Sequence, residues 1–251
     1  MKEVLFIKRE KGVVLRTINF KESSLIFKFF SEKSGGVKII AFGVKRTTNP
    51  YKGIISAGNL IEVIYHKKET SEFGKMREVK LLWKPEKIFT DYKKFLISYF
   101  LLEKIEKYIG ENLRFSSIYD FTFSFLKELN SLGEVNKNVL LSLLMKFLSI
   151  SGIGPELQNC IKCKRKLEDG FFITSEGGMF CFNCAKEFEE KIYIDKKNLA
   201  YLKFLLKENT EKCKNLKALN EELILNIINS FYKFYMGEDF LKNLSKILKE
   251  L

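Results

Sequence analysis

Proline is scarce, 3 in 251 residues, which excludes long Pro-rich recognition tracts and argues against extended flexible linkers. Histidine is scarcer still. The only one, His66, stands beside Lys67 and Lys68 at the end of an expected strand and reads as a surface residue, a poor basis for a Ser-His-Asp arrangement. Long apolar runs are missing. The longest, Phe95 to Leu102, falls far below the roughly 18 residues of a membrane span. Met1 to Glu10 offers only Val4-Leu5-Phe6-Ile7 before Lys8 and Arg9, too little for a signal-peptide core. A soluble cytoplasmic protein with no membrane partner is expected.

Acidic residues are also in deficit. Against 31 Asp and Glu stand 44 Lys and Arg, a net charge of +13, which favours a polyanionic partner. The excess is not spread evenly. Residues 1–85 hold 18 Lys/Arg and 8 Asp/Glu, whereas residues 86–251 hold 26 and 23. A Lys-rich composition, 38 Lys to 6 Arg, would explain the count but not its segregation.

The basic third reads as β structure. Gly12 to Ile18, Ser24 to Phe30, Val37 to Val44, Leu60 to Tyr65 and Met76 to Leu82 are short and rich in β-branched and aromatic residues, with a turn at Ser34-Gly35-Gly36. Five short strands at near-regular spacing predict a small barrel or sandwich. After Pro85 the period becomes helical. Helices are expected over Asp91 to Ile109 with Thr90 or Asp91 as N-cap, Asp120 to Leu129, and Asn136 to Ile150 closed by Gly152. Three more are expected over Lys196 to Lys207, Asn220 to Tyr235 with Gly237 as stop, and Asp239 to Leu251. None could bury its apolar stripe alone, so they are expected to form one bundle.

The sharpest local signal is Cys160-Ile-Lys-Cys163 followed, 17 residues later, by Cys181-Phe-Asn-Cys184. Two such knuckles match a four-thiolate zinc site, because a two-residue gap lets both sulfurs of a pair reach one ion. Phe171-Phe172-Ile173, Gly177-Gly178 and Met179-Phe180 read as a hairpin folding one knuckle onto the other. A helix over Ala185 to Lys191 would put Cys184 at its N-terminus and favour thiolate. Lys162, Lys164, Arg165 and Lys166 can offset the negative charge of the site. Four protein ligands leave no open position, so the Zn²⁺, one per chain, is expected to be structural. A redox-active or simply buried cysteine set is the alternative. Cys213 reads as an inert helix residue.

Arg16, Lys21, Lys28, Lys38, Lys45, Arg46 and Lys52 are interleaved with Phe20, Phe27, Phe42 and Tyr51. Cations tracking phosphates beside aromatic platforms are how single strands are held with little sequence preference. The plainer reading puts these Phe in a core and these Lys in solvent. Catalytic motifs fail: Gly53 to Gly58 has phosphate-loop glycine spacing, but Asn59 and Leu60 stand where Lys and Ser/Thr are needed. No catalytic residues are assigned.

Gly12-Val-Val-Leu-Arg-Thr-Ile-Asn-Phe-Lys-Glu22-Ser-Ser-Leu-Ile, then Phe29 to Gly36 and Ala41-Phe-Gly43-Val-Lys45-Arg46, resembles the opening of the bacterial recombination mediator RecO family. The later order is similar too: helices ending in Ser151-Gly152-Ile-Gly-Pro155, then Cys160 and Cys163, a Ser175-Glu-Gly-Gly178 turn, and Cys181 and Cys184. The resemblance implies an α+β multidomain protein with an N-terminal OB-fold β-barrel over 1–84. A helical domain would take 85–155 and 192–251, with an embedded four-cysteine zinc module at 156–191. It further implies a non-enzymatic protein of DNA repair, nucleoid-associated, that binds single- and double-stranded DNA and anneals complementary strands. Its implied partners are RecR, single-strand binding protein and, indirectly, RecA. Arg16, Lys45 and Arg46 match the family's basic positions; with Lys21, Lys38 and Lys52 they form the expected DNA-binding set. An RNA-binding OB protein with a zinc ribbon, or a protein-interaction adaptor, stays open beside it.

Overall fold

The computed structural model describes residues 5–109, 115–217, 220–237, 239 and 249, and the helix expected over Asp239 to Leu251 lies outside them. The chain divides into two compact units, residues 1–131 and 132–251. The helices expected to share one bundle are therefore distributed between two units.

The first unit is built on five strands: β1 (Leu5–Phe20), β2 (Ser24–Ser31), β3 (Gly35–Ala41), β4 (Leu60–Lys68) and β5 (Phe73–Trp83). Their order is β1-β2-β3-β5-β4, with β4 returning to β1, so the sheet closes into a barrel. Closure rests on the unusual length of β1. Leu5 to Val13 pair with β4, Gly12 to Phe20 pair with β2, and the handover falls at Gly12, opposite both Ser31 and Ile61. A Cβ at Gly12 would lie 2.1 Å from the Phe30 carbonyl oxygen and 2.8 Å from the Phe29 ring, so only glycine lets the strands meet there. The short β3–β5 pairing, Lys38 to Ile40 against Phe73 to Lys75, is parallel.

Inside the barrel, alternate residues from every strand form the core, among them Val14, Phe27, Phe29, Ile39, Ile61, Val63 and Tyr65. One carboxylate shares this interior. Glu10 is buried and accepts hydrogen bonds from Tyr65 Oη at 3.0 Å and Ser34 Oγ at 2.8 Å. Burial, reinforced by that carboxylate, pushes the Tyr65 phenol well above its usual range.

Three helices complete the unit: α1 (Glu86–Thr90), α2 (Tyr92–Ile109) and α3 (Phe115–Ser131). Asp91 caps α2, its Oδ1 accepting from Lys94 N at 3.1 Å. The Phe30 ring meets Tyr119 of α3 edge-on at 5.5 Å, and Trp83 meets Phe123 at 5.7 Å. Lys28 Nζ donates to the Glu106 carbonyl of α2 at 3.1 Å.

The second unit is centred on α4 (Lys137–Ile150), in which 10 of 14 residues are buried; a helix apolar on all sides belongs in a core. Asn136 caps it, accepting from the amides of Asn138 and Val139. Against α4 pack α5 (Lys196–Lys207), capped by Asp195, and the short α6 (Thr210–Cys213), which carries buried Cys213. Polar groups of α4 are satisfied by this packing: Ser142 Oγ donates to the Leu205 carbonyl and Tyr201 Oη to Asn138 Oδ1, at 2.8 and 2.6 Å. The helix α7 (Glu221–Met236) ends at Gly237, whose φ of +68° is the left-handed stop foreseen at that residue.

Between α4 and α5 lies a three-stranded sheet, order β7-β6-β8, formed by β6 (Gly170–Ile173), β7 (Gly178–Phe180) and β8 (Ile192–Ile194). The expected hairpin is β6–β7; β8 was not foreseen. The sheet joins α7 through Thr174 Oγ1 and Ser230 Oγ, 3.1 Å apart, and through Phe172 against Phe231. No described helix is long and apolar enough to cross a membrane.

Candidate metal centre and nucleic-acid interface

The sheet brings the two knuckles together. Ile161 N donates to the Met179 carbonyl at 3.0 Å, tying the first knuckle to β7, and β7 leads directly into Cys181. Lys164 takes a φ of +60° as the chain leaves the first knuckle. The four sulfurs of Cys160, Cys163, Cys181 and Cys184 all lie within 4.8 Å of one another. Cys163 Sγ and Cys181 Sγ are 3.8 Å apart, too far for a disulfide. A tetrahedral ion with Zn–S bonds of about 2.3 Å has sulfur–sulfur edges of about 3.8 Å, so the cluster fits Zn²⁺ and could bind a metal ion.

The chemistry of the donor set agrees. Burial opposes ionisation of Cys160, but amides of Cys163, Cys181 and Lys162 point at its sulfur and hold the thiol at about 6. The amide of Cys184 lowers Cys181 similarly. Cys184 is pushed up to about 12, first by its hydrogen bond to Cys181 and then by burial. Four thiolates cannot crowd together unaided; a divalent cation removes the conflict.

One expectation needs correction here. Ala185 to Lys191 is not a helix: only a 3-10 turn, Cys184–Glu187, forms, and Phe188 after it is extended. No helix dipole therefore favours a Cys184 thiolate. Lys162 pairs with Glu187 at 2.7 Å and also lies within electrostatic reach of Cys184 and Cys160.

The cations singled out from the sequence fall into two groups. One is a row across the outside of the barrel, created by a bulge. Val14 pairs with Phe29, but the next pair is Arg16 with Lys28, leaving Leu15 as an extra residue. The slip reverses the alternation. Arg16 consequently faces outward with Lys28, which in turn lies opposite Lys38. Lys28 also reaches the Glu106 carboxylate at 3.6 Å, and Lys38 pairs with Glu72 and lies 5.8 Å from the Phe73 ring.

The second group gathers at the β1–β2 turn. Lys45 N donates to the Ser23 carbonyl at 2.9 Å, drawing the segment after β3 onto that turn, where Lys21 sits with φ +55°. Lys21 Nζ lies 5.5 Å from the Phe20 ring, Phe20 meets Phe42 edge-on at 6.5 Å, and Phe42 is 50% exposed. Arg46 N returns to the Gly43 carbonyl, and the Arg46 side chain lies near Gly43. Lys52, exposed, follows in the next turns of the same segment. Of the expected aromatic platforms, Phe27 belongs to the core instead. His66 is half-buried, its Nδ1 covered, because β4 and its neighbours enclose it.

The molecule is thus a small closed β-sheet bearing two groups of cations, combined with a helical unit that carries a four-cysteine cluster. Models of Recombination protein O match both parts, the N-terminal one over residues 1–83 and the C-terminal one over residues 90–245. The chain belongs to the RecO family. It is 26% identical over 237 residues to the DNA repair protein RecO of Caldanaerobacter subterraneus subsp. tengcongensis, covering 94% of this chain and 95% of that one. The RecO proteins of a Thermoanaerobacter species and of Bacillus subtilis are 24% and 22% identical, over 95% and 90% of this chain and 98% and 89% of theirs.

Proposed function

We propose that this chain is a non-enzymatic DNA-binding mediator of recombinational repair. Membership of a family whose relatives are DNA repair proteins supports the field of action. The strand order, with β3 parallel to β5, supports an OB-fold as the DNA-binding domain over 1–84. In this reading 156–191 is a module held by one structural Zn²⁺.

One observation carries the DNA reading: Lys45 N bonds the Ser23 carbonyl and draws the exposed pair Lys45-Arg46 onto the β1–β2 turn, where Lys21 lies over Phe20 and Phe20 against the exposed Phe42, with Arg16 and Lys38 on the outer face of the barrel. Each lysine or arginine that neutralises a phosphate releases a counterion, and the ring offers a base a stacking surface. Neutralised strands repel one another less, so complementary ones pair more readily. Single- and double-stranded DNA are the substrates. RecR and single-strand binding protein are the partners through which RecA is loaded, in the cytoplasm and on the nucleoid.

The test is annealing of complementary strands coated with single-strand binding protein, with and without the chain. Wild-type protein accelerates annealing and Lys45→Ala/Arg46→Ala does not. Equal rates without the chain end the proposal, and a preference for matched RNA over DNA replaces it with an RNA-binding reading.

A further inference from the structure

Tyr92, Phe95 and Tyr99 fall on one face of α2, at spacings of three and four residues that align successive turns, and are 62, 42 and 52% exposed. The rings of Phe95 and Tyr99 lie 6.3 Å apart and within 23° of parallel. Packing of α2 does not need them, because Ile97, Phe100, Leu101 and Ile105 are the residues it buries. Where the stripe ends, Tyr99 forms one wall of a cavity of about 250 Å³, and Arg16 of the barrel forms another. Two carboxylates also line this cavity, but each has a lysine at hand: Glu103 with Lys107 at 3.4 Å and Glu106 with Lys28 at 3.6 Å. Arg16 and Lys107 balance the two carboxylates within the lining, and Lys28, outside the lining but 3.6 Å from Glu106, adds one positive charge beside it, so a carboxylate need not hold the Arg16 guanidinium.

We propose that a single DNA strand leaving the barrel face at Arg16 continues along α2, with a phosphate on Arg16 and bases on Tyr99, Phe95 and Tyr92. The proposal rests on the DNA-binding reading above and extends it from the sheet to a helix. The rings follow one another at about one helical turn, about 5.4 Å. A duplex strand, stacked at about 3.4 Å per nucleotide, cannot match that interval, whereas an unstacked single strand can. The α2 path therefore belongs to single strands, and duplex DNA uses the barrel cations alone.

The experiment measures affinity of the full chain for three DNAs: a single strand shorter than the roughly 4–16 nucleotides one barrel covers, a longer one, and a duplex. Phe95→Ala/Tyr99→Ala is expected to lose about tenfold or more for the long single strand, as expected from stacking, while binding the short strand and duplex as wild type does. Tyr99→Phe alone keeps wild-type affinity for the long strand, since a ring and not a hydroxyl is required. Both residues are about half exposed, and a thermal melt checks that the variant folds. Wild-type affinity of the double alanine variant for the long strand overturns the proposal and marks the stripe as a protein-docking face. Equal losses on all three DNAs overturn it too. If wild-type chain binds none of them, the DNA-binding reading itself has failed, which is a different result.

Discussion

The barrel and the metal module solve the same problem with opposite means. Five strands closed into a ring bury Val14, Phe27, Phe29, Ile61, Val63, Tyr65 and their neighbours completely or nearly so, at roughly 25 cal/mol for each Å² of apolar surface. The module has strands of four, three and three residues, too little sheet to hold two knuckles in place by packing alone. It concentrates its order in four sulfurs instead. Area stabilises one region, and a metal ion held by the four sulfurs would stabilise the other, so different perturbations should reach each of them.

Removing the metal should have the largest effect. Binding of Zn²⁺ by small finger peptides is worth about 10–16 kcal/mol. Chelation, or Cys163→Ser, should make amides in residues 156–195 exchange rapidly while those of β1 to β5 stay protected. Uniform loss of protection would break the contrast. In the barrel the sharpest equivalent is Gly12→Ala, whose methyl meets the Phe30 carbonyl at 2.1 Å. A loss of about 3 kcal/mol is expected in urea unfolding. Gly133→Ala, with nothing within 4 Å of the new atom, serves as the control and should stay within about 0.5 kcal/mol.

Function should separate the regions as well. If about six phosphates are neutralised, log affinity for single strands should fall against log salt with a slope of roughly −4. Lys45→Ala/Arg46→Ala should flatten that slope by about 1.4 and weaken all sequences alike; an unchanged slope would remove these residues from the interface. Asn136→Ala, which deletes the cap of α4, should cost about 1 kcal/mol, read as a lower urea midpoint of the second unit only.

The smallest effect concerns pH. The Lys196 ammonium beside Glu168 holds that carboxyl below its usual range. A depressed carboxyl contributes stability above the unfolded carboxylate pKa and loses it as pH falls through the folded value. Because the pair is fully exposed, Glu168→Gln should only slightly flatten the acid limb of the stability curve.

Much of this was legible in the residues. Local patterns carried the five strands, most of the helices and the stops at Gly152 and Gly237, because caps and periodicity are properties of adjacent residues. The clustering of the two cysteine knuckles was legible for the same reason, since a two-residue gap constrains its own sulfurs. Other features were not. The first half of β1 was missed, because Leu5 to Lys11 pairs with β4, more than fifty residues away. The third strand of the module, β8, is three residues long, and its place depends on β6. The short turn after Cys184 was mistaken for a helix because Ala185 to Lys191 is rich in helix-forming residues that here make few helical bonds.

The order of residues alone determined the charge imbalance, the alternation of the strands and the identity of the four clustered cysteines, all of which act over a few positions. Which cations face solvent together was decided by tertiary structure. A single extra residue at Leu15 turns Arg16 outward, and a return of the chain through Lys45 and Ser23 brings Lys45 and Arg46 to the turn that carries Lys21. Lys28 finds Glu106 only because α2 lies against the barrel. Side-chain direction depends on register, and register is set by partners distant in sequence.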